Sequence, residues 1–574
     1  MVTDAARSPT ARVAAAYRTI AEADRPEIWI TLRQQTDVFA DAAAVERRLA
    51  AGEPLPLAGM LVAVKDNIDV AGLPTTAACP EFAYLPATTA VAVQRLCAAG
   101  AVVLGKANLD QFATGLAGTR SPYGAVRNSR YPQLVAGGSS SGPAVAVALG
   151  IADIGVGTDT AGSVRVPAAL NGIAGIKPTL GIIPTHGVVP ACPSFDAVSV
   201  LAADVARAAA AVAVMAGPDS RDPRSRAWPS DVRFAAPGVP RLAIPEDANL
   251  SALSPAYADA FTRTVTHATR AGMRVEAVDI SLLLDAALLL YDGAFVAERY
   301  AAVGAFLDSH PAGADPVVAQ IITSARSVSG AAFAADLNAL ALARAGAGKL
   351  LAGFDGLLLP TTTEHPSLAD VRADPHTVVR RMGAYTNFCN LLDMAAVAFP
   401  GEPTTGGAPF GAMVVVPAFG DQVAVDIAAR IGGTPSGAVA AIGCDLAVFG
   451  AHMRGHPMHG QLDGLGARYL GPVSTASAYR LLAVAGTTPT AGVVRAAAGA
   501  GREIQGELFR VSEVALSRLL SGLPAQLGLA GVELDDGRSV VAVVAADHAA
   551  GSAADITGYR HWARYLEATG GEQP

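Results

Sequence analysis

The sequence predicts an α/β protein with a helix-covered sheet, followed by a smaller α+β domain. Three observations lead there. Short apolar runs of strand type alternate with alanine-rich helical stretches over most of the chain, the pattern of a sheet buried on both faces. A glycine- and proline-marked break, Ile431-Gly432-Gly433-Thr434-Pro435-Ser436-Gly437, reads as a linker, giving domains over 1–440 and 441–574. Composition agrees: 574 residues exceed one ordinary domain, and 51% hydrophobic against 16% charged residues excludes a charge-driven disordered chain.

Taken in order, residues 5–25 form a helix with Val13, Ala16, Tyr17 and Ile20 along it, and a second helix follows Asp41, where Val45 and Leu49 share a face. Pro54, Pro56 and Gly59 then break the pattern. Met60–Val64 is a strand with Lys65-Asp66-Asn67 at its end. Ala90–Ala99 is a helix leading into the strand Ala101–Lys106. Gly137-Gly138-Ser139-Ser140-Ser141-Gly142 opens a helix from about Pro143 to Leu149. A strand around Ile154–Val156 feeds Gly157-Thr158-Asp159-Thr160-Ala161-Gly162-Ser163. Helices follow at Asp204–Met215, Tyr257–Thr269 and along 282–307. Phe354–Leu359 and Met413–Pro417 are strands, Thr386–Ala398 is buried, and Asp421–Arg430 is a helix. Beyond the linker, Asp445–Phe449, Tyr479–Val484, Gly492–Arg495, Ile504–Val511 and Val540–Ala545 are short strands, and 551–574 adds a terminal helix or tail.

Several function classes fall away. A net charge of −8 leaves no basic domain for a nucleic-acid backbone. The five cysteines, at 79, 97, 192, 389 and 444, form neither a CxxC pair nor a disulfide framework. The charged first 30 residues lack the apolar core of a signal peptide, and no apolar run spans a bilayer cleanly. A cytoplasmic protein without membrane partner is expected. Only four lysines occur, Lys65, Lys106, Lys177 and Lys349. In a chain that otherwise uses arginine, a lysine in an apolar setting points to a group that can lose its proton.

Two serine sites flanked by glycine, Ser139-Ser140-Ser141 and Ser163, stand 24 residues apart, measured from Ser139, with a helix and a strand between them. Ser163 is the stronger nucleophile: the loop before it can aim consecutive N–H groups at one point, forming a nest for a developing oxyanion. The competing reading is a glycine-rich turn with a structural serine. His186 is the one histidine of this region, so Lys65, dehydrated at the end of an apolar strand, is the alternative base, with Ser139 extending its reach. An ion pair of Lys65 with Asp66 or Asp69 is the ordinary alternative. Gly138–Gly142 also satisfies G-x-S-x-G, but the preceding segment contains little strand and no histidine sits in a convincing late loop.

The blocks Val64-Lys65-Asp66-Asn67, Gly137-Gly138-Ser139-Ser140, Gly157 to Pro167 and Gly175-Ile176-Lys177-Pro178-Thr179 closely resemble the amidase signature family. The resemblance implies a mixed central sheet and a Ser–cis-Ser–Lys triad, with Ser163 as nucleophile, Ser139 as bridge and Lys65 as base. It places the oxyanion hole on the N–H groups of Thr160, Ala161, Gly162 and Ser163. Ser141-Gly142 and Ala161 depart from the common pattern. With Thr119–Gly124, Gly187–Cys192 and Tyr385–Asp393 they look like the allophanate-hydrolysing branch. Phe449-Gly450-Ala451-His452 and Gly455-His456-Pro457 resemble that branch's C-terminal domain, of γ-glutamylcyclotransferase-like fold.

The substrate so implied, allophanate, is a urea carrying a carboxylate and calls for a cationic fork. The block Tyr291–Tyr300 is similar to the one that supplies Tyr291 and Arg299 for that carboxylate. The pair stands about two helical turns apart, and the plainer alternatives are a core or rim aromatic and an arginine paired with Asp292 or Glu298. Tyr123 and Gly124 are implied contacts of the urea part. The implied products are ammonia and N-carboxyurea, and overall ammonia and carbon dioxide through a carbamyl-enzyme. In the second domain His452 is the acid, base or anion contact. His456 and His459 are nearby, but Gly455 and Pro457 break the alignment a metal would need. Arg480 and Glu507 are polar site candidates there, with surface pairing as the default. No cofactor or metal is expected; a homodimer is, with a urea carboxylase or a cyanuric-acid pathway supplying substrate. Two alternatives remain: another small-amide or glutamine amidohydrolase, and a non-catalytic amidase-like scaffold.

Overall fold

The computed structural model describes residues 8–570 other than Thr487 and Ser552. The chain divides into two compact units. The first runs to Ala227 and resumes over Val239–Val439; the second takes Trp228–Gly238 and the chain from Ala440 onward.

The first unit is built on an eleven-stranded mixed sheet covered by helices. Its strands are β1 (Trp29–Leu32), β2 (Leu61–Lys65), β3 (Val102–Ala107), β4 (Ile154–Asp159), β5 (Ala174–Lys177), β6 (Ala197–Ala202), β7 (Arg241–Pro245), β8 (Arg274–Val278), β9 (Gly356–Pro360), β10 (Met394–Pro400) and β11 (Gly411–Pro417). They lie in the order β1-β3-β2-β4-β6-β5-β10-β11-β9-β7-β8. β2 runs parallel to both β3 and β4, the series from β4 to β9 is antiparallel, and β7 is parallel to β8 and β9. Every residue of β2, β3, β4, β5 and β6 is buried, so this part of the sheet is covered on both faces. The helix Ser141–Ala148 packs on β2 and β4, bringing the serine-rich loop to their ends.

Most expected elements are present, with shifts of a few residues at their ends; residues 5–7 of the first helix lie outside the described residues. The helical stretch over 282–307 is two helices, Ser281–Leu288 and Val296–Leu307. Tyr291 therefore sits in the connecting turn, not two turns before Arg299 on one helix. The break is packed in place: a Cβ on Gly293 would lie 2.6 Å from the Leu289 carbonyl oxygen. β1, β5, β6, β7 and β8 have no counterpart in the sequence reading.

The second unit is an eight-stranded sheet with short helices. Cys444–Val448 lies at its middle, antiparallel to Gln505–Val511 and parallel to Ser539–Ala545. The segment Trp228–Gly238 is part of this unit's own fabric: Phe234 N donates to Gly466 O at 2.9 Å, and Val514 N donates to Ser230 O at 3.1 Å. No single helix among the described residues is long and apolar enough to cross a membrane.

Candidate active site

Because β2 and β4 are parallel and in register from Val62↔Ile154 to Val64↔Val156, their C-terminal ends deliver Lys65 and Thr158 side by side. Lys65 is fully buried; its Nζ donates to Ser139 Oγ at 2.7 Å and to Thr158 Oγ1 at 2.8 Å. Burial brings its pKa down to about 7, against the opposing pull of Asp110, Asp159 and Asp196. No carboxylate pairs with it among the described residues. Asp66 instead faces Lys106 at 3.0 Å, and Asp69 accepts from Tyr84 and Thr75.

Ser139 follows a cis peptide bond from Gly138. Glycine is required at 138, since a Cβ there would lie 2.1 Å from Asp110 Oδ2. Asp110 receives the N–H groups of Gly118, Thr119 and Arg120, each at 2.9 Å, and its own N–H donates to Ser139 O at 3.1 Å. A buried carboxylate thus fixes the backbone that presents Ser139. Ser163 joins through the main chain, Ser140 N donating to Ser163 O at 3.0 Å. Ser163 is 2% exposed, and its hydroxyl makes no hydrogen bond among the described residues.

The loop ahead of Ser163 is held from below. Asp159 Oδ1 accepts from Gly162 N at 2.8 Å and Oδ2 from Val164 N at 3.1 Å; both oxygens also meet Arg165, the closer contact at 2.8 Å. Burial opposes the Asp159 charge, but the Arg165 guanidinium prevails and holds the carboxyl below its ordinary range. Arg165 donates further to Thr386 O and Asn390 Oδ1, and Thr386 Oγ1 donates to Ala161 O at 2.6 Å. The expected four-donor nest is therefore narrower. The Gly162 N–H is spent on Asp159, whereas those of Thr160, Ala161 and Ser163 donate to no protein acceptor among the described residues. Thr160 is anchored from the other side by its hydroxyl, which bonds the buried Asp196.

Arg299 is 1% exposed, lies beneath the Tyr291 ring and donates to Tyr291 OH and Thr114 Oγ1, both at 2.9 Å. Tyr291 packs against the hydrophobic core, as its plainer alternative had it, whereas the plainer pairing of Arg299 is not seen among the described residues. Asp292 pairs with Arg380, and Glu298 accepts from Ser194 N at 2.9 Å. Among the described residues no carboxylate pairs with Arg299, and its buried Nε has no acceptor. Tyr123 faces Thr76, and Gly124 O accepts from Asn108 Nδ2 at 3.0 Å. No contact joins them to Arg299 or the serines among the described residues.

In the second unit His452 is 1% exposed, its Nε2 is 3.2 Å from Gln461 Oε1, and burial lowers its pKa. His459 Nδ1 faces the His452 carbonyl at 3.3 Å. Glu507 pairs with Arg454 at 3.0 Å, and Arg480 with Asp555 at 3.3 Å. No group of three or more His, Cys, Asp or Glu is placed to hold a metal ion among the described residues.

This geometry, a dehydrated lysine against one serine with a second serine beneath free amides, suits acyl transfer from an amide. The amidase family model matches residues 12–425. The chain belongs to the amidase family. A second model, the allophanate hydrolase C-terminal domain, matches residues 444–567 of this amidase. The amidase is similar to the Kluyveromyces lactis allophanate hydrolase structure, 35% identical with a TM-score of 0.87 over 98% of each chain. It is 37% identical to the urea amidolyase of Saccharomyces cerevisiae over 556 residues, 90% of this chain but 30% of that protein, so it spans under a third of that relative's length. A third similarity, 28% identical with a TM-score of 0.67 over 75% of this chain and 96% of the other, is to a structure described as a vestigial complex revealing the origins of an s-triazine catabolic enzyme.

Proposed function

We propose that this amidase hydrolyses allophanate, with Ser163 as nucleophile, Ser139 as proton bridge and Lys65 as base. The observation that carries the choice of substrate is Arg299, a buried guanidinium that no carboxylate pairs with among the described residues. A cation so placed is costly unless an anionic ligand completes it, and the substrate's carboxylate fits its fork. The similarity to the K. lactis enzyme over nearly the whole of both chains supports the same reading.

In this mechanism neutral Lys65 takes a proton from Ser139 across their 2.7 Å contact. Ser139 takes one from Ser163, whose Oγ attacks the carbonyl bearing the terminal amino group. The amides of Thr160, Ala161 and Ser163 receive the oxyanion. The charged lysine returns its proton through Ser139 to the leaving nitrogen, and ammonia departs. Water then cleaves the carbamyl ester by the reverse route. Atom balance corrects the second product, because N-carboxyurea is the substrate's own acid. Allophanate and water give ammonium and the dianion −OOC–NH–COO−, so the product is N-carboxycarbamate. Its breakdown to ammonia and carbon dioxide is assigned to the second unit, with His452 as acid or base. Tyr291 orients Arg299, and Tyr123 and Gly124 contact the urea part of the substrate in the same reading. A cytoplasmic homodimer fed by a urea carboxylase or by cyanuric-acid breakdown belongs to the same reading, and light scattering checks the dimer.

The test is ammonia release from allophanate, glutamine and a hydrophobic amide. Allophanate is expected to be preferred, and Ser163→Ala to lower its turnover by roughly a thousandfold or more. Glutamine preferred over allophanate would sink the substrate assignment; full activity in the variant would remove Ser163 from its role. A pH profile checks the base separately. Since the neutral amine is the active form and Lys65 titrates at about 7, kcat/KM should fall about tenfold per pH unit below that value. A rate that stays level down to pH 5 would exclude Lys65.

A further inference from the structure

A cavity of about 490 Å³ in the first unit is walled by Gly115, Leu116, Arg120, Tyr291, Arg380 and Asn387, among others. It adjoins the hydrolytic site. Tyr291 carries the Arg299 contact, and Leu116 O accepts from Gly138 N at 2.7 Å. Arg120 is the unexplained member of that wall. It is 6% exposed, yet among the described residues no carboxylate pairs with its guanidinium. Its Nη1 donates to Thr114 O at 3.0 Å and its Nη2 to Pro375 O at 2.6 Å, while its buried Nε has no acceptor. Thr114 thus stands between two uncompensated guanidinium groups, taking Arg120 on its carbonyl and Arg299 on its hydroxyl. Two carbonyl oxygens hold the Arg120 fork in place without neutralising it, so its charge acts on whatever occupies the cavity.

The reaction itself creates a need for such a charge. Its substrate is a monoanion, and hydrolysis of the amide adds a second carboxylate. Arg299 meets one. We infer that Arg120 is a second anion-binding residue of the site, reading the doubly charged dicarboxylate formed by the reaction. This rests on the allophanate reading. Arg120 gives the site its preference for the dianion over the monoanion and draws the product from the inner pocket into the cavity. Two probes without a leaving amine separate the charge states: malonate, the dianion with a methylene in place of the product's NH, and acetoacetate, a monoanion whose methyl group stands where the substrate has its scissile amino group.

The experiment measures inhibition of ammonia release by each probe in the full chain and in Arg120→Gln, Arg120→Lys and Arg299→Gln. Arg120→Gln is expected to raise the malonate inhibition constant about tenfold and that of acetoacetate less than twofold. Arg120→Lys, keeping the charge, should restore most of the difference, and Arg299→Gln should weaken both probes. Equal changes for the two probes in Arg120→Gln, or none, would make Arg120 a structural residue and overturn the inference while leaving the substrate assignment intact. If neither anion inhibits the unaltered protein, the inference falls, while the substrate assignment stands or falls on its own ammonia-release test. Should Arg120→Gln fold poorly, the malonate-to-acetoacetate ratio in Arg120→Lys decides: a ratio that stays within twofold of the unaltered protein supports charge reading, and one that collapses overturns it.

Discussion

Replacing Lys65 with methionine should abolish hydrolysis and at the same time make the protein more stable. Lys65 ends a fully buried strand, and burial lowers its pKa from 10.5 to about 7. That lowering corresponds to a folding penalty on the order of a few kcal/mol, since in the unfolded chain the ammonium is hydrated freely. The sign follows from proton binding. Between about 7 and 10.5 the unfolded chain holds a proton that the folded protein has released, so the lysine's contribution becomes less unfavourable as pH rises. Methionine fills a similar volume without a charge to dehydrate. Its stability advantage should be largest at neutral pH and below, and should disappear as pH approaches 10.5. Denaturant titrations of both proteins at about pH 7 and about pH 10 read this directly, alongside a turnover loss of roughly a thousandfold or more. A variant less stable than the parent at neutral pH would show that Lys65 is held by its hydrogen bonds more strongly than burial penalises it.

Asp159→Ala should do the opposite, costing both stability and activity. Asp159 and Arg165 are each fully buried, and the carboxylate also anchors the N–H groups of Gly162 and Val164 around the proposed nucleophile. Removing it strands a guanidinium in the interior, a loss of about 3–5 kcal/mol. It also frees the turn that aims the remaining amides. The double variant Asp159→Ala/Arg165→Met distinguishes the two effects: stability should largely recover because no charge is stranded, while activity should not, because Gly162 N and Val164 N remain unanchored. Recovery of activity with stability would mean that the loop needs no such anchor.

These contrasts explain what could be read in advance. Lys65, Ser139 and Ser163 were legible because each sits in a short block whose glycines and apolar flanks are local signals. β2, β3 and β4 were legible from the short apolar runs Leu61–Val64, Val102–Leu104 and Ile154–Val156, although β5 and β6 are buried as completely. The supports were not. Arg165 meets Thr386 and Asn390, more than 200 residues further along the chain, and no local pattern announces that packing. Asp159 was visible inside the loop, but nothing nearby said that its carboxylate would claim the Gly162 amide. Arg120 lay within a recognised block, yet only the folded chain, where no carboxylate pairs with it among the described residues, sets it apart. The break at 289–295 was hidden by its own apolar composition, because Leu288, Leu289 and Leu290 continue a helical pattern that the folded chain leaves.

The excursion of Trp228–Gly238 has a practical consequence for dissecting the molecule. The second sheet does not end at the linker: Phe234, Val232 and Trp228 pack with Ala440, and a Cβ on Gly443 would meet the Phe234 ring at 2.7 Å. A fragment begun at 441 would lack eleven residues of its own wall, and one stopped at 440 would carry them as a dangling apolar loop. Clean separation calls for two incisions and a graft, with 228–238 spliced ahead of 440 in one product and bridged by a short polar turn in the other.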